Sequence, residues 1–147
     1  MSARLIGIAR RDKPRAPMEM LPRARVTTSA GIEGDCRGVV QDRNVTLILR
    51  EDWEAACRDL ERDLPWVTRR ANLLVEGLTG FKRVGARLKV GSALLEVTEE
   101  NPPCRVMDIL AEGLRVALQP EWRGGVACRV LQDGVIALGD SVAVVDQ

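Results

Sequence analysis

The chain has 147 residues, the usual size of one domain and enough to bury a hydrophobic core. Its 22 basic and 21 acidic residues nearly cancel, so a net charge of +1 gives little general attraction for nucleic acid or an anionic membrane. Histidine is absent from the sequence, which excludes imidazole metal ligands and histidine-based catalysis. We therefore expect a single domain over residues 1–147 that binds neither nucleic acid nor membrane.

Hydropathy and cysteine usage indicate the compartment. No apolar run approaches the roughly 20 residues that span a bilayer, and the charged N-terminal residues lead into no signal-peptide core. A cytoplasmic location is therefore expected, and thiols stay reduced there. The four cysteines at positions 36, 57, 104 and 128 have no CxxC spacing. We expect all four to be free, so each must be judged by its surroundings.

The first half of the chain consists of short strands, two notable loops and one helix. β-Branched or apolar runs that end at charged or turn-forming residues predict strands at residues 4–9, 23–28, 44–49 and 71–75. The loop at 10–17 carries four cations, and the loop at 31–38 contains three glycines. From Glu51 to Arg62, apolar residues at i, i+3, i+4 and i+7 predict an amphipathic helix, with Cys57 on its buried face.

The second half is richer in strands. A hairpin or a pair of consecutive strands is predicted at 87–92 and 93–98, and alternation along the second strand places Glu96 at a solvated position. A two-turn helix is predicted around 106–111, with Val106, Ile109 and Leu110 on one side. Tight turns then join three strands, at residues 125–132, 135–138 and 141–145. Many short strands with two helices predict a small closed or partly closed β-barrel.

Cys104 is the thiol whose surroundings most favour reactivity. It follows Pro102 and Pro103, which bias the backbone away from helical angles, so a helix is expected to start at or just after Cys104. The adjoining Arg105 favours the thiolate, which is the reactive form. Cys128 alternates along a predicted strand, which indicates a core residue. Cys36 lies in the glycine-rich loop, where it is either a second functional thiol or has no role.

Short motifs recur along the chain in a specific order, at 31–35, 70–73 with 76–78, 85–91, 103–104, and from 124–125 to 139–140. In this order and spacing the sequence resembles the MOSC domain family, named for the C-terminal domain of molybdenum cofactor sulfurases. The resemblance covers nearly the whole chain. It implies a mainly β fold, a MOSC-type barrel related to the pyruvate-kinase barrel domain, with two or three short helices.

The resemblance also implies a role for Cys104. In MOSC proteins a cysteine at this position is thought to carry sulfur as a persulfide or to bind the molybdenum of the pterin cofactor. Thiolate is a soft ligand and a good nucleophile toward sulfane sulfur, and neither role needs histidine. The implied function is binding of molybdenum cofactor or carriage of sulfur, in support of the reduction of N-hydroxylated compounds or of sulfur transfer to a metal centre. Whether the chain is itself an enzyme stays open.

A molybdenum cofactor would bring a phosphate or pyrophosphate, which guanidinium groups and backbone amides of glycine-rich turns bind well. The candidates for this contact are Arg37, Arg70, Asn72, Arg123, Gly124 and Gly125. Asn72 has the alternative of capping a turn. Many relatives have Arg-His where this chain has Cys36-Arg37.

The resemblance implies partners as well. The aminotransferase-like domain of full sulfurases is not expected in this chain, and neither is its pyridoxal phosphate. Sulfane sulfur would then come from a separate cysteine desulfurase, or electrons from a separate donor protein. Two alternatives remain open. One is a non-catalytic cofactor carrier or partner-binding barrel, and the other is an anion or nucleotide pocket unrelated to molybdenum.

Overall fold

The computed structural model describes residues 3–145. Its strands, in chain order, are β1 (Ala3–Arg10), β2 (Glu19–Met20), β3 (Arg23–Thr27), β4 (Gly31–Ile32), β5 (Val45–Leu49), β6 (Leu73–Glu76), β7 (Arg87–Val90), β8 (Ala93–Glu100), β9 (Val126–Gln132), β10 (Gly134–Ala137) and β11 (Ser141–Val145). The helices are α1 (Arg50–Leu60), α2 (Arg105–Leu110) and α3 (Leu114–Ala117), with 3-10 turns at Trp66–Arg69 and Pro120–Trp122.

Seven of these strands close into a barrel. Their order is β11-β7-β8-β9-β5-β6-β1, and β1 pairs back with β11 through Ala3 and Val142. The β5–β6 pair is parallel because α1 carries the chain across between them, whereas the other barrel pairs are antiparallel. The predicted mainly β fold with a small barrel and short helices is confirmed.

Alternate residues of the barrel strands point inward and form its core. Leu5, Leu47 and Leu88 are fully buried there, and burial of each such side chain contributes about 1.5–3 kcal/mol. The separate three-stranded sheet, in the order β10-β3-β4, adds Ile32 and Ile136 to the same core. The barrel is therefore filled by side chains rather than hollow, and a ligand site has to lie among the loops.

The helices pack on the outside of the barrel and form a second core. Ile48 and Leu74 point outward from β5 and β6, and they meet Trp53 of α1 and Leu114 of α3. Cys57 packs against this cluster, as its position on the apolar face of the predicted helix indicates. Among residues 3–145, no helix combines the length and the apolar character that crossing a membrane requires.

Helix α2 exposes the side on which the sequence places Val106, Ile109 and Leu110. The predicted apolar side is exposed, since Ile109 is 74% and Val106 41% accessible, whereas Met107 is 2% accessible and packs in the outer core. Pro103, just before the helix, is also buried. A helix of six residues is too short for periodicity to define which face is buried.

The solvated position predicted for Glu96 is also wrong. Glu96 is only 9% accessible to solvent, and its carboxylate forms ion pairs with Arg87, at 3.2 Å, and with Arg129. The hydrogen bond from Arg129 is the largest influence, and together with Arg87 it lowers the pKa of Glu96 despite an opposing desolvation effect. Long arginine side chains on the two neighbouring strands cover this outward position, which alternation along one strand does not predict.

Gly125 supplies a sharp test of barrel packing. Its φ is +95°, and a Cβ there would lie 2.1 Å from the Leu47 carbonyl oxygen. Gly125→Ala should therefore lower the free energy of unfolding by about 2 kcal/mol more than the cost of the left-handed backbone alone. Gly139→Ala is the matched control, because its φ is +93° and no atom of residues 3–145 lies within 4 Å of the added Cβ. Urea unfolding measures both, and equal losses would contradict this account.

Candidate functional site

A pocket of about 370 Å³ opens where several loops meet, a volume typical of small-molecule sites. The β1–β2 loop, the loop between β4 and β5, the turn that leads into β6 and the segment from β8 into α2 all contribute to it. Its lining residues are Arg11, Met18, Asp35, Arg37, Arg43, Thr46, Arg69, Arg70, Asn72, Asn101, Pro102, Cys104, Val106 and Met107.

Cys104 lines this pocket and is exposed to solvent. It is the residue before α2, with extended backbone angles of φ −116° and ψ −179°, and the Met107 amide donates to its carbonyl oxygen at 3.0 Å. The helix thus begins directly after the Pro-Pro-Cys sequence, as predicted. Proline restriction before the thiol and a helical turn after it hold the Cys104 backbone in place.

Five arginines line the pocket against a single carboxylate, that of Asp35. Arg43 is engaged, because it donates to Glu99 at 2.9 Å and to the Asn101 side chain at 2.9 Å. The three free guanidinium groups, defined as those that form no ion pair or hydrogen bond with any part of residues 3–145, belong to Arg11, Arg37 and Arg70. Free guanidinium groups around a pocket favour an anionic ligand.

Arg69 is a buried arginine that the sequence prediction missed. Its Nε donates to the Gly124 carbonyl at 2.9 Å and its Nη2 to the Asn101 carbonyl at 2.7 Å. Burial lowers the pKa of Arg69 to about 10, while Coulomb attraction to Cys104 raises it and repulsion from Arg43 lowers it further. Arg69 is therefore still protonated at neutral pH. Nothing in the sequence separates it from Arg70, because both lie at the end of one short turn.

Asp35 is the second residue missed as a site candidate, although its loop belongs to the motif at 31–35. It is 8% accessible, and its Oδ1 accepts from the Arg11 backbone amide at 3.1 Å. Its Oδ2 is buried and has no hydrogen-bond partner among the described residues. A buried carboxylate oxygen without a donor is costly. Because Asp35 lines the pocket, a ligand with an N–H or O–H group could supply that donor.

Asn72 lines the pocket, but its amide is engaged in holding strands together. Its Oδ1 accepts from the Thr46 backbone amide at 3.0 Å, and its Nδ2 donates to the Ala9 carbonyl at 3.1 Å. These bonds join β1 and β5 to the start of β6. Asn72 therefore fixes the floor of the pocket, and its amide has little hydrogen-bonding capacity left for a ligand.

The structure brings Cys104, Arg37, Arg70 and Asn72 into one pocket, but Arg123, Gly124 and Gly125 do not line it. Arg123 pairs with Asp59 at 2.6 Å and donates to the Ala117 carbonyl at 3.0 Å. At Gly124 a Cβ would lie 2.7 Å from the Asn101 carbonyl oxygen. This loop therefore packs directly against the segment that leads to Cys104.

The remaining cysteines have less access to solvent than Cys104. Cys36 and Cys57 are half-buried, and Cys128 is fully buried in the barrel core, as predicted for a strand residue. Burial raises the pKa of Cys128 to about 12. Across residues 3–145 no group of three or more Cys, Asp or Glu side chains is arranged to hold a metal ion.

The model of the MOSC domain matches residues 33–143, so the chain belongs to the MOSC domain family. The resemblance inferred from the motifs is confirmed. A search of curated proteins finds no match.

Solved structures support the same fold. The YuaD protein from Bacillus subtilis has a TM-score of 0.80 and 18% identity, over 97% of this chain and 94% of that chain. YiiM from Geobacillus stearothermophilus has a TM-score of 0.77 and 19% identity, over 98% of this chain and 75% of that chain. YiiM from Escherichia coli has a TM-score of 0.73 and 19% identity, over 98% of this chain and 70% of that chain. At these identities the similarity establishes the shared fold.

The two hydrogen bonds by which Arg69 joins the Asn101 and Gly124 segments, called here the Arg69 clamp, can be tested by comparison with Arg70. Arg69→Gln should lower the free energy of unfolding by about 2–3 kcal/mol, because two carbonyls lose a charged donor in a buried position. Arg70→Gln removes the same charge from a side chain with no partner in residues 3–145, so its stability should change by less than about 0.5 kcal/mol. Denaturant unfolding compares the two variants. Equal losses would contradict the clamp.

Thiol accessibility predicts an order of alkylation. Iodoacetamide should label Cys104 first in the folded protein, whereas Cys128 should react only after unfolding, because it is fully buried. Raising the solution to about pH 10 should leave Cys128 unlabelled, since its thiol with a pKa of about 12 is still protonated there. Peptide mass mapping at timed intervals gives the order. Labelling of Cys128 as fast as Cys104 would contradict the burial.

Proposed function

We propose that this pocket binds a molybdenum-pterin cofactor, with the Cys104 thiolate as the protein ligand to molybdenum. One observation carries the proposal: the exposed thiol, the three free guanidinium groups and the unpartnered Asp35 oxygen all belong to the same pocket. Each supplies one contact that such a cofactor needs. Membership of the MOSC domain family supports the same conclusion.

The donor set fits the group. Thiolate suits a soft metal centre, and guanidinium groups bind phosphate through paired hydrogen bonds. The Asp35 Oδ2 is an acceptor without a donor, and a pterin ring carries N–H groups. Met18, Val106 and Met107 provide apolar surface for a flat ring.

When bound, the cofactor supplies two-electron redox chemistry at molybdenum, and the residues of this chain bind and orient it. The free guanidinium groups neutralise the phosphate, while Arg69 keeps the Asn101 and Gly124 loops together beneath Cys104. Electrons would come from a separate donor protein, and the proposed reaction is reduction of an N-hydroxylated compound. The alternative is a non-catalytic carrier of the cofactor, in which the same contacts bind without turnover.

A second candidate function is carriage of sulfur on Cys104 as a persulfide. It is favoured by the exposure of this thiol, because a sulfur donor and an acceptor must both reach it. A separate cysteine desulfurase is the partner that would supply the sulfur.

Cofactor binding is tested on protein from a molybdate-fed host, by metal analysis and by pterin fluorescence after oxidation. We expect both signals in the wild type, loss of molybdenum in Cys104→Ser, and loss of pterin in the double variant Arg37→Gln/Arg70→Gln. Arg62→Gln, which removes one charge from an exposed residue outside the pocket, is the control and should retain both. Absence of both signals from the wild type, or retention in every variant, would refute the proposal.

Turnover separates the enzyme from the carrier. Loaded wild-type protein, supplied with an artificial electron donor and an N-hydroxylated amidine, should release the amidine, and Cys104→Ser should not. Cofactor binding without product would support the carrier instead.

A further inference from the structure

We propose that the pocket accepts small anionic sulfane donors of the thiosulfate class, from which Cys104 takes the outer sulfur to form a persulfide. The inference rests on the sulfur-carrier form of the proposed function and names its donor. It gives the chain a thiosulfate sulfurtransferase half-reaction, which needs no partner protein to load the thiol.

Access is the first condition that this reaction sets. Displacement at a sulfane sulfur needs the attacking thiol in line with the bond that breaks. The donor must therefore be able to reach the thiol from solvent. Cys104 is exposed at the rim of a pocket of about 370 Å³, which has room for a donor of five heavy atoms. Cys57 and Cys128 do not line this pocket.

Charge is the second condition. Thiosulfate is a dianion whose three oxygens accept hydrogen bonds, and guanidinium groups donate in pairs to such oxygens. Five pocket arginines face one carboxylate, and the guanidinium groups of Arg11, Arg37 and Arg70 have no partner in the described part of the chain. Arg11 and Arg70 are half-buried and Arg37 is exposed, and unpaired cations around one pocket favour an anionic donor over an uncharged one.

The leaving group makes the same arginines useful during the reaction. The Cys104 thiolate attacks the outer sulfur of thiosulfate, and a new sulfur–sulfur bond forms on the cysteine. The original sulfur–sulfur bond breaks, and its electron pair leaves on sulfite. No external oxidant or reductant is required, because the transferred sulfur is already at the sulfane level. Sulfite is a dianion too, so the guanidinium groups that bind the donor also stabilise the departing charge.

The loading step is tested by incubating reduced protein with thiosulfate in the absence of oxygen. We expect a mass gain of about 32 Da, one sulfur atom, on the Cys104 peptide, together with an equal amount of sulfite. Cys104→Ser should give neither product. No mass gain on the wild type, or a gain that survives in Cys104→Ser, would overturn the inference.

Recognition of the anion is tested by Arg37→Gln/Arg70→Gln. The loading rate from thiosulfate should fall at least about tenfold, because two charge-assisted contacts are lost. Alkylation of Cys104 by uncharged iodoacetamide should change by less than about twofold, which shows that the thiol is still folded and reachable. Arg62→Gln should match the wild type in both reactions. Equal thiosulfate rates in the double variant and the wild type would overturn the role of the arginines.

A parallel incubation with a cysteine desulfurase and free cysteine separates this inference from the proposed function. If the desulfurase loads Cys104 and thiosulfate does not, the donor class is wrong and the sulfur-carrier function stands. If neither source loads Cys104, both are wrong. Loading by thiosulfate at a rate that depends on the arginines supports both.

Discussion

The buried guanidinium of Arg69 is the contact on which the geometry of the candidate site depends. It lies between two backbone segments and donates to the carbonyls of Asn101 and Gly124. One of these segments leads into Cys104, and the other leads into β9 of the barrel. Holding a charged group in a buried position is favourable only while its donors are paired, so the two loops and the arginine stabilise one another. The thiol is thereby fixed relative to a rigid barrel rather than left on a free loop.

The barrel and the loops contribute different parts of the pocket. The barrel core is filled by side chains, and Asn72 joins β1, β5 and β6 beneath the pocket. The arginines and the carboxylate that line the pocket therefore come from its loops and turns, and Thr46 is the polar lining residue from a barrel strand. Arg11, Arg37 and Arg70 come from three different segments, and their charges have no internal partner in residues 3–145. Such an excess of positive charge favours an anion over an uncharged ligand.

Local signals in the sequence predicted much of this, and the errors have identifiable causes. Two prolines before Cys104 predicted the start of α2, because restriction by proline acts on adjacent residues. The buried face of α2 could not be read from the sequence, since six residues carry too little periodicity. Gly124 and Gly125 were predicted to bind a phosphate, but they do not line the pocket, and backbone carbonyls lie 2.7 Å and 2.1 Å from where their Cβ atoms would be. A tight turn and a close tertiary approach leave the same signature in sequence.

The sequence by itself determined the mainly β class, the amphipathic helix α1, the buried strand position of Cys128 and the start of a helix directly after Cys104. Each of these depends on residues that are neighbours along the chain or recur with a fixed period. The tertiary structure decided which arginines surround the thiol. Arg69 donates to two carbonyls, whereas the guanidinium of Arg70 beside it is free. Arg123 forms an ion pair with Asp59 outside the pocket. The tertiary structure also left one oxygen of Asp35 without a hydrogen-bond partner among residues 3–145. Which charged groups pair with one another depends on distances between segments far apart in sequence. These distances are fixed only when the barrel closes.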